Sequence, residues 1–310
     1  MNGIASVGKG LFAKYSAALA FEDYRNMWMA NLSAQTAAWA LIVARGWFVF
    51  EERHQSSDVA IVTFAALAPA FIVPPIAGVY ADRVDRRKLL GLSYIVNMAA
   101  NLVMALIIFL GQPQLWEVVA LTLVNGAARF TQMPVSQALA ANLVPRNVLL
   151  NALSLNQATN QFSRLLGGAL VTPILVFLGP TMAPLAFLLC TALYGVGYLQ
   201  TLKIKTESRG GVVAGESFWA NLANGFRYIG SQPLILMVTV FVAFHCSLTM
   251  GFESLLPGFA RQRLGDTTAF GVLMTAVGIG SLFGSIYVGG ISSGLMRGRL
   301  LLAMGLMSGL

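Results

Sequence analysis

Gly78-Val79-Tyr80-Ala81-Asp82-Arg83-Val84-Asp85-Arg86-Arg87-Lys88-Leu89-Leu90 sets four basic and two acidic side chains within seven residues. The run 57–80 before that cluster carries a single charge, Asp58, and the run 89–111 after it carries none. A helix needs about 20 mostly apolar residues to cross the hydrocarbon core of a bilayer. Two such runs joined by a short charged loop therefore read as two membrane spans with a turn at the headgroup level.

Working outward from this loop, the same criterion marks spans over 26–50, 57–80, 89–111, 115–141, 149–177, 181–202, 233–257 and 268–291, with a ninth opening near Leu300. Connections are short and hold helix-ending residues, such as Gly111 with Pro113 and Gly179 with Pro180. The exception is 203–232, which is long and polar. Its later part, 217–229, spaces Phe218, Trp219, Leu222, Phe226 and Ile229 as an amphipathic surface helix does. The expected organisation is a cytoplasmic segment 1–24, a six-helix bundle 25–202, a linker 203–232 and a partial second bundle 233–310. The ninth span is half a span long at Leu310, so the chain is expected to continue.

Composition closes off other classes. Of the 310 residues, 57% are hydrophobic and 10% are charged, against about 25% charged in soluble domains. The net charge of +8 does not point to nucleic acid, because the bases fall in short clusters between apolar runs. With the N-terminus in the cytoplasm, 14 of the 20 Lys and Arg lie on the cytoplasmic side, three lie opposite and three lie inside spans. Cys190 and Cys246 sit in apolar runs and suggest no disulfide framework. No His, Cys or carboxylate cluster has metal-ligand or catalytic spacing, so neither a metal, a cofactor nor an enzyme is expected.

The quoted loop resembles motif A of the major facilitator superfamily at Gly78, Asp82, Arg83, Arg86, Arg87 and Leu90, and departs from it at Asp85, where the motif has Gly. Supporting similarity to the drug-efflux and enterobactin-exporter branch lies in 134–139, 143–146, 151–156 and 164–168. The resemblance implies an all-α polytopic membrane protein of the major facilitator fold. It also implies that the loop is a gate latch, with Asp82 facing a helix terminus of the second bundle. Gly78 would let a helix end approach its neighbour. Residues 289–301 keep the first Gly, one Arg and the final Leu pair of 78–90, as a worn internal repeat would. Motif C of antiporters is only partly present at 167–173.

Ionisable residues inside spans are functional candidates because charge at mid-bilayer is costly. Arg129 and Arg164 fall near the middle of spans four and five, where they either pack against Asn and Gln neighbours or line a cavity. Arg45, nearer the outer end of span one, is expected to reach the interface. His245 and Glu253 in span seven are the candidates for proton coupling. The expected function is a secondary active transporter in the bacterial inner membrane, multi-pass and monomeric, exporting an amphipathic small molecule such as a drug or siderophore. Proton antiport is what the resemblance implies. A lysolipid or metabolite transporter, or a non-transporting scaffold or sensor of the same fold, is the alternative.

Overall fold

The computed structural model describes residues 17–111, 113–179, 182–209, 223, 227–249, 256, 259–260, 272–273, 275–280, 299–300 and 303–304. Among these residues there is no strand. A 3₁₀ turn at Ala17–Ala20 leads into α1 (Glu22–Arg53), followed by α2 (Ser56–Leu67), α3 (Val73–Arg83), α4 (Arg86–Leu110), α5 (Leu115–Leu143), α6 (Arg146–Leu178), α7 (Ala183–Leu202) and α8 (Pro233–Thr249). Most of 217–229, the second loop copy at 289–301, the ninth span and Glu253 lie outside the described residues, as does the side chain of His245 in α8.

Helix ends follow local chemistry. Asp85 caps α4 by accepting a hydrogen bond from Arg87 N at 3.1 Å. Gln114 and Glu117 form a capping box at the start of α5. His54, in the left-handed region at φ 56°, closes α1 by donating its N–H to Phe50 O.

The second span is not the straight helix expected over 57–80. α2 runs into a 3₁₀ turn at Ala68–Phe71, and α3 departs at a 44° bend. Pro69, Pro74 and Pro75 cause the break, since each lacks an N–H and its ring clashes with the preceding turn. α4 and α7 are each long and apolar enough to cross a membrane, and the bent pair makes a third such crossing. α1, α5 and α6 are longer, at 32, 29 and 33 residues, but carry more polar residues.

Among those polar residues, Asn31, Thr36, Asn125, Gln132, Thr159 and Ser163 are buried. α1 packs against α6 and α7, α4 lies against α7 and α5, and α5 covers α2 and α3. Ala30, Ala34, Ala37, Ala40 and Ala44 of α1 are buried and leave room for close helix approach. Side-chain hydrogen bonds cross between helices: Tyr94 OH donates to Asn31 Oδ1 at 3.0 Å, Asn31 Nδ2 to Ser136 Oγ at 2.6 Å, and Tyr24 OH to Ala152 O at 2.7 Å. With no water in the hydrocarbon core, such groups must satisfy each other.

Close approach is set by glycines other than Gly78. A Cβ at Gly78 would meet nothing within 4 Å among the described residues. A Cβ at Gly126 would lie 2.5 Å from Ala66 O, and one at Gly167 would lie 2.6 Å from Ala40 N. Gly167→Ala must push α6 off α1, so we expect it to destabilise the bundle by about 1–3 kcal/mol. Thermal melting in detergent checks this, with Gly78→Ala expected to melt as the parent does. Equal melting of Gly167→Ala and the parent would contradict the contact.

Candidate functional site

Two places concentrate polar chemistry: the loop between α3 and α4, and the inward faces of α1, α5 and α6. At the loop, Arg86 is nearly buried and ties three elements together. Its Nη2 meets Asp82 Oδ1 at 2.9 Å, its Nε donates to Ala81 O at 3.0 Å, and its Nη1 donates to Ala138 O of α5 at 3.2 Å. Asp82 is half-exposed and pairs across the loop with Arg86, four residues on. Arg83 is exposed on the same turn.

Asp85, the departure from motif A, carries a second set of bonds. Arg87 Nη2 meets its Oδ2 at 2.6 Å, and Arg87 Nε donates to the same oxygen at 3.0 Å. Arg87 Nη1 then reaches the carbonyls of Ile204 and Lys205, at 3.0 and 2.9 Å. Burial alone would raise the Asp85 pKa, but the Arg87 guanidinium and the backbone N–H donors outweigh it, so the carboxyl titrates below its ordinary value.

The far side of this network is the chain leaving α7. Ser208 is fully buried beneath the loop. Arg86 N donates to Ser208 O at 2.8 Å, Asn142 Nδ2 to Ser208 Oγ at 2.8 Å, and Ser208 N to Asp85 Oδ1 at 3.5 Å. Asp23, in the first turn of α1, accepts from Lys205 N at 3.1 Å, from Thr206 N at 2.8 Å and from the Thr206 hydroxyl. Residues 204–208 are thus bonded to α1, to α5 and to the loop. Asp23, Asn142, Thr206 and Ser208 were not singled out by sequence, because their partners lie far away in the chain. The Asp85 departure was the one visible signal.

In the interior, the structure brings Arg129 and Arg164 to one indole. Arg164 Cζ lies 4.6 Å and Arg129 Cζ 5.2 Å from the centroid of Trp39, within cation–π range. Trp39 Nε1 donates to Asn160 Oδ1 at 3.0 Å, which fixes the ring. Trp28 Nε1 donates to Thr159 Oγ1 at 2.7 Å one level below. Arg45 does not reach the interface as expected. It is 7% exposed, with Nε donating to Leu41 O within its own helix, because its face of α1 is covered by neighbouring helices. Residues 275–278 meet α6 beside Arg164: a Cβ on Gly168 would lie 3.3 Å from Thr275 Oγ1, and one on Gly278 would lie 3.2 Å from Leu165 Cα.

Long helices that bury polar side chains and expose large apolar ones are those of an integral membrane protein. A family model described as transmembrane secretion effector matches residues 13–309, and the chain belongs to that family of major facilitator superfamily proteins. The chain is 24% identical over 269 residues to the multidrug efflux pump Tap of Mycolicibacterium fortuitum, covering 83% of this chain and 64% of that protein. It is 21% identical over 239 residues to the MFS-type transporter YvqJ of Bacillus subtilis, covering 76% and 57%. The chain therefore spans less than two thirds of the length of either relative. Its fold is similar to the nucleoside transporter NupG (TM-score 0.66, 11% identity, 86% of this chain and 66% of that one). It is also similar to a bacterial homologue of the human lysosomal transporter Spinster (TM-score 0.62, 14% identity, 90% and 63%).

Because Asn caps a helix as well as Asp does, Asp85→Asn isolates the charge from the cap. It should loosen 204–208 and speed tryptic cleavage at Lys205 and Arg209 by about tenfold, the scale of one charge-assisted hydrogen bond. Asp85 has a lowered pKa in the folded protein. Its contribution is therefore complete above the ordinary value of about 3.9 and is lost as pH falls through the lowered one. The difference in melting temperature between the parent and Asp85→Asn should be constant at neutral pH and close only in acid. A difference that closes near neutrality would contradict the assignment.

Proposed function

We propose that this chain belongs to an exporter that carries an amphipathic small molecule out of the cell by alternating access, coupled to proton entry. The observation that carries this reading is the bonding of the Asp82–Arg87 loop at once to α5 and to 204–208, the start of the chain that leads to the second bundle. In alternating access one bundle rocks against the other around a fixed site. A segment that joins the bundles and is bonded under a charged loop is strained or released by such rocking, so the loop acts as a two-state latch. Gly78, Asp82, Arg83, Arg86 and Arg87 are the proposed gate, with Asp85 added as the residue that bonds it to the linker.

The interior gives the molecule somewhere to bind. α1, α5 and α6 present Trp39, Asn160, Arg129 and Arg164 at mid-helix, next to the contact with the second bundle. His245 and Glu253 are the proposed proton carriers, since the described carboxylates lie toward helix ends. Outward direction is supported by the relative named as a multidrug efflux pump. The clustering of Lys and Arg supports an N-terminus in the cytoplasm, and membership of the family supports a cytoplasmic-membrane location and a monomer as the working unit.

Expression of the full-length protein in an efflux-deficient bacterium tests this. Cells should accumulate less of at least one amphipathic fluorophore than vector controls, and a protonophore should abolish the difference. Asp82→Asn, present in the membrane at parental amounts, should slow export about tenfold, as loss of a charge-assisted bond in the latch predicts. Unchanged accumulation of anionic, neutral and cationic fluorophores alike would contradict the reading.

A further inference from the structure

Residues 204–208 cross the end of the bundle where α1 begins, and they are buried only at their two ends. Ile204 is 3% exposed and Ser208 fully buried, while Lys205, Thr206 and Glu207 between them are exposed. The two parts are held differently. Ser208 is held from within the protein: it accepts from Arg86 N and Asn142 Nδ2, and its N–H reaches Asp85. The exposed middle is tied to α1 by one carboxylate. Asp23 accepts from Lys205 N at 3.1 Å, from Thr206 N at 2.8 Å and from the Thr206 hydroxyl. Glu22 beside it pairs with Lys205 Nζ at 3.7 Å. Arg87 Nη1 holds the carbonyls of Ile204 and Lys205 from the other side.

We infer that 204–208 is a strap and that Asp23 is its release catch, opened in each cycle to lengthen the link to the chain beyond Arg209. The time of opening rests on the transporter reading; the catch itself does not. Hydrogen bonds in contact with water break at small net loss, because water replaces the departing partner. The bonds of Ser208 are different, since breaking them in place leaves buried groups unpaired. Opening therefore starts at Asp23 and finishes at Ser208. Freed and extended, the five residues 204–208 add about 17 Å of reach. While the strap is closed, the chain that follows is held short against α1, α4 and α5. Once open, that chain has the slack that rocking of one bundle against another requires.

A buried group is modified only when the structure around it opens, so a thiol at the buried end reads the strap. Full-length protein with Ser208→Cys, Cys190→Ala and Cys246→Ala is purified in neutral detergent and treated with a charged maleimide. Alkylation should be slow, and Asp23→Ala should speed it about tenfold, the scale of one charge-assisted hydrogen bond. Thr206→Val removes a single bond from the same carboxylate and should speed it less; it serves as the readout where Asp23→Ala does not fold. Alkylation at the parental rate in both variants overturns the inference. A second arm asks whether the strap opens during transport. Asp23→Cys with Thr206→Cys, in the background lacking Cys190 and Cys246, is bridged by a short bis-thiosulfonate. Bridging should stop export of the fluorophore and reductant should restore it. Export at the unbridged rate with the bridge intact also overturns the inference. Failure of the transporter reading would look different, with no fluorophore gradient from the parent while Ser208→Cys alkylation still follows Asp23.

Discussion

Backbone contact along α1 is the constraint on which the rest of the structure depends. Gly167 of α6 lies so near Thr36 and Ala40 that a methyl group would overlap the α1 main chain, and a Cβ on Gly197 of α7 would approach Ala30 O to 3.2 Å. Helices inside a bilayer gain nothing from hiding apolar surface, since lipid is as apolar as Leu. What holds them is close packing and hydrogen bonds that only a short interaxial distance allows. The pair Thr36–Ser163, at 3.3 Å, exists because α1 and α6 approach within that distance. The same approach brings Trp39 to Asn160 and to Arg164. Small residues on α1 are therefore the reason a polar interior can form at all.

From that axis the polar groups divide by height. At the end where α1 begins, Asp23 reaches the chain leaving α7, and the α3–α4 loop covers Ser208. Midway, the inward polar faces of α1, α5 and α6 meet at Trp39. The outward faces of the bundle are apolar: Phe64, Phe71, Phe109 and Phe177 are largely exposed, which a lipid environment tolerates and water does not. The bend between α2 and α3 is consistent with this arrangement, since the freed backbone groups at Pro69, Pro74 and Pro75 lie in a span packed against α5.

The fold and the loop were legible in sequence because both are written locally. An uncharged run of about 20 residues has one economical reading, and six charges between two such runs mark a turn at the headgroups. Pro69, Pro74 and Pro75 were visible too, but a 44° bend depends on how α5 receives the broken helix. Side-chain direction was less legible. Arg45 seemed free to reach the interface by its distance from the helix end, yet which face of α1 is covered is decided by α6 and α7. Gly78 belongs to a motif, but the glycines in tight contact are Gly126 and Gly167, marked only by the surfaces they meet. The bonds of Asp23 to Lys205 and Thr206 join residues more than 180 positions apart, and no local pattern encodes them.

The two polar regions differ in how their polar groups are matched. At the loop, Asp82, Asp85 and Glu207 meet Arg86 and Arg87, and buried Ser208 has its N–H, carbonyl and hydroxyl engaged. A network whose charges are matched within itself gains nothing from a ligand, and it changes only when its members are pulled apart. In the middle of the bundle, guanidinium and amide donors gather on an aromatic ring, and the described carboxylates stand away from it. The loop network is therefore held by α1, α3, α4, α5 and residues 204–208, while the mid-bundle cluster is held by α1, α5 and α6.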